Sequence, residues 1–228
     1  MSLRVAVLRV FTDAAGEYGN PLGVVDAEAV HPQDRPRLAA LLGYSETVFV
    51  IAPQPGARTA QARIYTPGGE IDFAGHPCVG LAWWLRQRGT PVEALAVPAG
   101  LVRVEQAGEH TAITARADWA PPFELTELES VAALTAALPA QYPATVAHYL
   151  WAWDRPAEGR VRARMFAPNL GVAEDEATGS AALRLTDRLG RDLAVVQGRG
   201  SVIETRWSAD GWLSVTGRVV DEGTMTVV

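Results

Sequence analysis

The chain has 228 residues, 48% hydrophobic and 20% charged, with a formal charge of −6; that length buries a real core in one large domain or two small ones. The acidic balance, with basic residues spread out rather than clustered, excludes a general nucleic-acid binder. All 20 basic residues are arginine, which excludes an internal aldimine to pyridoxal phosphate and a P-loop lysine, and one cysteine excludes an internal disulfide and fits a reducing compartment.

The opening "MSLRVAVLRVF" alternates as a strand and lacks the apolar core and cleavage site of a signal peptide. No apolar run is long enough for a transmembrane helix, so a cytoplasmic protein is expected. "HPQDRPRLAALLG" predicts a helix with Pro32 near its start and Gly43 as its stop. "ETVFVIA" and "QARIYT" predict strands, followed by an apolar helix, "HPCVGLAWWLRQRG", from Pro77 to just before Gly89. Trp83 and Trp84 are adjacent, so one must lie off its apolar stripe.

"LVRVEQ" and "TAITA" again predict strands. The proline-rich "RADWAPPFEL" reads as a linker. In "TELESVAALTAAL" Thr126 and Glu129 form a capping box for a helix closing before Pro139. "VAHYLWAW" and "VRARMF" predict strands, with Trp151 and Trp153 on one face. "TGSAALRLTDRLG" predicts a helix from Thr178 to Gly190. "VIETRWSADGWLSVT" predicts a hairpin turning at Asp210-Gly211, and "GTMTVV" a last strand. No Gly-x-Gly-x-x-Gly follows a strand, so a dinucleotide fold has no support. The histidines at 31, 76, 110 and 148 lack the spacing of zinc ligands, and no metal or cofactor is expected.

The chain repeats itself. "RIYTP" from Arg63 is echoed by "RMFAP" from Arg164, about a hundred residues on. Each echo leads through acidic residues to a glycine, Gly75 or Gly179, that opens an apolar helix. The expected architecture is α+β, with two pseudo-repeated domains, 1–115 and 116–228, each of strands around a central helix. A cleft between them would set two helix N-termini, with unpaired N–H groups, face to face and ready for a carboxylate.

Three elements could carry chemistry. Glu46 begins an apolar strand and reads either as an exposed strand-end carboxylate or as an acid/base whose pKa is raised by apolar neighbours. His76, between Gly75 and Pro77, reads as a capping or a catalytic histidine. Glu174, Asp175 and Glu176 precede Thr178-Gly179-Ser180; acidic residues partner helix dipoles, but three at one corner exceed that need. Cys78, inside an apolar helix, reads as a small buried hydrophobe, with a reactive thiol as the competing reading. Arg63 and Arg164 read as structural, given their matched positions, with binding of an acidic substrate as the competing reading.

Taken together, "VFTDAAGEYGNPLGVV", "GYSETVFVI", "RIYTPGGEIDFAGHPCVGLAWWL" and "RMFAPNLGVAEDEATGSAAL" resemble the motifs of the PhzF-like isomerase family, in order and across nearly the whole chain. The resemblance implies a diaminopimelate-epimerase-like fold, in which each domain is a curved, mostly antiparallel sheet wrapped round its helix, with the site in the cleft. It implies a cofactor-independent isomerase, usually a homodimer, acting by proton transfer on a small carboxylate. Glu46 would be the principal acid/base, with His76 and Asp175 holding and polarising the substrate. Asn20, Ser45, Gly75, Thr178, Gly179 and Ser180 would contact it. The related two-thiol epimerases carry cysteines about where Ala74 and Glu176 or Ala177 stand, so a carboxylate mechanism fits and a thiol mechanism does not. The chain is short for the family, the shortage falling mainly between 116 and 160, and the last strand is open to returning to the first half. A non-catalytic carboxylate-binding protein on the same fold is the alternative.

Overall fold

The computed structural model describes residues 2–108, 110–168 and 172–227. In the first half, strands β1 (Leu3–Thr12) and β2 (Asn20–Asp26) precede helix α1 (Arg35–Leu42), which stops at left-handed Gly43. Strands β3 (Glu46–Ile51), β4 (Thr59–Thr66) and β5 (Gly69–Ile71) lead to helix α2 (Gly75–Gln87), followed by β6 (Ala94–Val97), β7 (Gly100–Ala107) and β8 (His110–Arg116). The second half runs β9 (Glu124–Glu127), α3 (Val131–Ala136), β10 (His148–Arg155), β11 (Arg160–Ala167), β12 (Val172–Asp175), α4 (Gly179–Leu189), β13 (Leu193–Gln197), β14 (Ser201–Arg206) and β15 (Trp212–Val227). The protein is mixed α+β and mostly strand.

One pairing scheme occurs twice. β2 lies parallel to β3, β3 antiparallel to β4, β4 parallel to β6, and β6, β7 and β8 follow antiparallel. In the second half β9, β10, β11, β13, β14 and β15 pair in that same sequence of senses. β5 flanks β4 as β12 flanks β11. Helices α2 and α4 occupy equivalent places, each crossing between the parallel pair that brackets it.

Sheet continuity comes from β15. Its first residues pair with β8 and β14, and the rest pair with β1. Residues 223–227 of "GTMTVV" are therefore no separate strand but the end of a sixteen-residue one, which bulges at Glu222, where Val7 faces Gly223 and Leu8 faces Asp221. A second bulge leaves Phe11 unpaired in β1, at φ 68, a conformation rarely adopted by a bulky residue.

The core follows from the apolar patterns. α2 is buried from Gly75 through Ala82 and again at Leu85, as a helix enclosed by sheet must be. Leu22, Ile64, Phe73, Leu81, Leu85 and Leu95 pack in the same cluster, each contributing about 1.5–3 kcal/mol by leaving water. Trp84 stays half-buried at the rim, with the Arg88 guanidinium 4.3 Å over its ring. Trp151 and Trp153 meet edge to face at 5.4 Å.

Two expectations fail. Thr126 and Glu129 do not cap a helix; Thr126 lies in β9, opposite Leu150, because the sheet edge recruits that segment. The helix starts later, where the Ser130 hydroxyl accepts from Ala133 N–H at 3.1 Å. "RADWAPPFEL" is not a bare linker. It makes a 3-10 turn and the start of β9, and Trp119 packs edge to face on Phe73 and Trp212.

Candidate active site

Local chain geometry brings the two helix N-termini into contact. A Cβ on Gly75 would stand 3.0 Å from the Gly179 carbonyl carbon and 3.1 Å from Ser180 N. On Gly179 it would meet the Phe11 ring at 3.0 Å and His76 N at 3.3 Å. Only glycine at both positions lets the helix ends approach this closely, and both positive dipole ends then face one small volume.

Beside this junction lies a cavity of about 50 Å³ set in a cleft of about 520 Å³. Its polar lining is Ser45, Glu46, Thr66, Asp175, Thr178 and Ser180, and its apolar wall includes Ile71, Phe73, Pro121, Phe123 and Met165. Glu46 is the first residue of β3, its side chain 16% exposed, with Oε2 3.2 Å from His76 Nδ1. Asp175, the last residue of β12, accepts from Asn20 Nδ2 at 2.7 Å and from Thr178 Oγ1 at 2.5 Å. Ser45 Oγ, Glu46 Oε2 and His76 Nε2 are buried and lack a well-aligned hydrogen-bond partner, although Ser45 and His76 lie beside the Glu46 carboxyl.

The electrostatics follow from burial. Removal from water raises the Glu46 pKa from 4.5 to about 7, opposed by the Ser45 hydroxyl. Burial, and then the Glu46 charge, raise Asp175 to about 6, against the hydrogen bond from Thr178, the His76 charge and the hydrogen bond from Asn20. Burial lowers His76 to about 4, with Asp175 and the Pro21 carbonyl opposing. Near neutral pH the imidazole is therefore uncharged, Asp175 is largely ionised and Glu46 is poised between its forms. That is where a general acid/base works best.

The three carboxylates of the second corner separate. Glu174 forms a bidentate pair with Arg164 at 2.8 and 2.7 Å, and Arg164 also donates to the Ala137 carbonyl at 2.7 Å. Glu176 accepts from Arg199 and Ser201. Only Asp175 enters the cleft. Arg63 pairs with Glu70 at 3.1 Å, outside the site. Cys78 is buried in the core, and burial pushes its thiol up to about 12. Among the described residues no group of three His, Cys, Asp or Glu side chains is arranged to hold a metal ion.

Sequence reasoning missed Gln197, Tyr149 and the Pro121–Phe123 wall. Gln197 is fully buried and bonded to both Asp175 and Thr178. Its signal was legible: in "LAVVQ" it shares a face with Leu193 and Val195, so a polar amide stands where alternation demands an apolar residue. Tyr149 is fully buried with an unpartnered hydroxyl, its pKa raised by burial and by Asp175. The wall is held by Arg184 of α4, which donates to the Ala120 carbonyl at 2.5 Å, a contact with no local sequence signature.

Comparison with known proteins places this geometry. Residues 8–148 match the PhzC-PhzF family, described as phenazine biosynthesis-like protein. The chain is 31% identical to the trans-2,3-dihydro-3-hydroxyanthranilate isomerase of Pseudomonas fluorescens, over 76% of this chain and 75% of that one. Its fold matches the phenazine biosynthesis protein PhzF family structure from Enterococcus faecalis, with a TM-score of 0.78, 19% identity and full coverage of both chains. A hydroxyproline epimerase from Agrobacterium vitis shares the fold more distantly, with a TM-score of 0.66 and 13% identity over 99% of this chain and 91% of that one. On the strength of the matched motifs and the shared fold, the chain belongs to the PhzC-PhzF phenazine biosynthesis-like family and is an isomerase.

Proposed function

We propose that the protein isomerises a small carboxylate-bearing metabolite without a cofactor, by proton transfer through Glu46 in the cleft. The observation that carries this reading is the Glu46 carboxyl itself: lining the cleft and mostly buried, with Oε2 3.2 Å from the Nδ1 of a neutral imidazole and its pKa raised to about 7. As carboxylate, Glu46 takes a proton from a carbon next to an unsaturated bond. The electron pair shifts along that system, and the carboxylic acid so formed returns a proton to a second carbon, leaving formula and charge unchanged. His76 Nε2 and the ionised Asp175 hold the substrate's polar groups, while Ser45, Gly75, Gly179 and Ser180 offer hydroxyl and backbone donors to its carboxylate. Thr178, expected to do the same, has both donors taken, its N–H by Gln197 and its hydroxyl by Asp175. Asn20 keeps Asp175 in place.

The apolar wall of Ile71, Phe73, Phe123 and Met165 suits a flat hydrocarbon body, which agrees with the small ring carboxylate named for the Pseudomonas relative. The two halves, read as copies of one unit, close on the substrate and exclude water. The reading includes a homodimer in the cytoplasm; sedimentation tests the first, and fractionation the second. No helix among the described residues is long and apolar enough to cross a membrane.

The test is proton NMR in D₂O across small unsaturated and amino-carboxylates. Glu46-dependent exchange of a C–H bond, or its migration, is expected. Exchange that persists in Glu46→Gln overturns the assignment.

A further inference from the structure

We infer that Gln197 is a positioning residue of this site: its side-chain amide fixes the Thr178 hydroxyl hydrogen on the Asp175 carboxylate. Gln197 ends β13 and is fully buried. Its Oε1 accepts from the Thr178 backbone N–H at 3.1 Å, and its Nε2 donates to Thr178 Oγ1 and to the Asp175 carbonyl, both at 2.9 Å. A backbone N–H can only donate and a backbone carbonyl can only accept, so these contacts settle which end of the amide is which.

The consequence falls on Thr178. Its Oγ1 receives a hydrogen from Gln197, so its own single hydrogen is left for Asp175 Oδ2, 2.5 Å away. Thr178 is the N-cap residue of α4, yet its hydroxyl caps no N–H of that helix, the usual service of a threonine there. The hydroxyl has been assigned elsewhere. With Asn20 donating to Oδ1 at 2.7 Å, each oxygen of Asp175 has a donor.

Asp175 faces Glu46 from β3, His76 from α2 and Tyr149 from β10. Burial and the Glu46 charge oppose its ionisation, while the hydrogen bonds from Thr178 and Asn20 favour it, the imidazole of His76 being uncharged near neutral pH. Of the favourable groups only the hydroxyl is a free rotor. Without Gln197 nothing holds that hydrogen on Asp175, and when it turns away one carboxylate oxygen is left undonated in a dry site, where the loss is large. Gln197 thus keeps Asp175 charged beside a carboxyl that must gain and lose protons.

The inference rests on the reading of Asp175 as a site residue, and it is tested on the carboxyl directly, without substrate. The ¹³C resonance of the Asp175 carboxyl, assigned by its loss in Asp175→Asn, is titrated in the wild type, Gln197→Met, Gln197→Asn, Thr178→Val and the Gln197→Met/Thr178→Val double variant. The midpoint is expected to rise by about one pH unit or more in both Gln197 variants, and the double variant to titrate where Thr178→Val does. Gln197→Asn keeps a polar group but loses the reach, so it serves if Gln197→Met does not fold. An unmoved midpoint in a folded Gln197 variant, or a further rise on adding Gln197→Met to Thr178→Val, overturns the role of Gln197. That failure is separate from the proposed reaction, which fails by exchange that survives loss of Glu46.

Discussion

Replacing Glu46 by glutamine removes a titration while keeping the side chain's length and shape, so its effect on stability must depend on pH. Burial raises the folded-state pKa from 4.5 to about 7. A group raised in this way contributes stability that is fully present below the unfolded value and is lost as pH climbs through the folded one. At about 1.4 kcal/mol per tenfold change in proton affinity, the full loss is about 3.5 kcal/mol. Some is already gone at about pH 5, which leaves about 2.5 kcal/mol between there and about pH 8.5. Glutamine stays neutral and suffers none of it. Removing the Glu46 charge also relieves Asp175, whose pKa it raises, an effect of the same sign. Urea unfolding at the two pH values therefore gives a stability difference, variant minus wild type, that grows by about 2.5 kcal/mol toward alkaline pH. The variant is stabilised where the enzyme works and inactive there. A difference that stays flat with pH shows that Glu46 titrates as an exposed carboxylate and refutes the argument.

Other outcomes follow from the same geometry. The value of kcat/KM rises as Asp175 and Glu46 ionise, with apparent pKa values of the pair near 6 and 7; a limb near His76's value of about 4 instead contradicts the assignment. Gly75→Ala forces a Cβ to 3.0 Å from backbone, so it separates the helix ends; thermal melting gives a loss of about 1–3 kcal/mol, and turnover falls further than stability explains. Cys78→Ala leaves kcat unchanged, and iodoacetamide leaves the native enzyme active, because the thiol is buried with its pKa at about 12; inactivation by alkylation revives the thiol mechanism. Arg164→Met breaks the Glu174 pair and frees the carbonyls at the end of α3, lowering stability by about 2–4 kcal/mol in denaturant titrations.

Much of the fold was legible because apolar periodicity and helix punctuation are local. Gly43 and Gly190 end their helices in the left-handed conformation that glycine allows. The repeated Arg-aromatic-Pro echo marked equivalent strands. Thr126 and Glu129 misled because a capping box and a short edge strand share residue types, and pairing with β10 decided between them. At the second corner sequence alone could not say which of three carboxylates enters the cleft. That choice depends on Arg164 and Arg199 taking Glu174 and Glu176 away. Arg164 reaches Glu174 across the β11–β12 pair, and Arg199 reaches Glu176 from the turn after β13, and neither pairing has a local pattern. Pro121 and Phe123 looked like linker residues because nothing nearby announces the arginine of α4 that fastens them.

The registers of the two halves also bear on why the proposed mechanism uses one acid/base rather than a matched pair. Arg63 lies opposite Phe49, as Arg164 lies opposite Leu150; counting back along β3 and β10 sets Glu46 level with Ala147. Ile64 lies opposite Ile71, as Met165 lies opposite Asp175, so Asp175 corresponds to Ile71. With Gly75 matched to Gly179, Ala74 answers Thr178 and His76 answers Ser180. Each half keeps one carboxylate where the other carries an apolar residue. A two-base racemase needs its acid and base at equivalent corners, one on each face of the substrate carbon. Here those corners hold Ala74 and, by register, Thr178 rather than the Glu176 or Ala177 that the sequence suggested; neither Ala74 nor Thr178 can carry a proton between carbons at neutral pH. The titrating groups lie off the symmetry, with Glu46 and His76 from the first half meeting Asp175 from the second. On the proposed reading one carboxyl both takes and returns the proton, and the expected product is a constitutional isomer of the substrate rather than its mirror image.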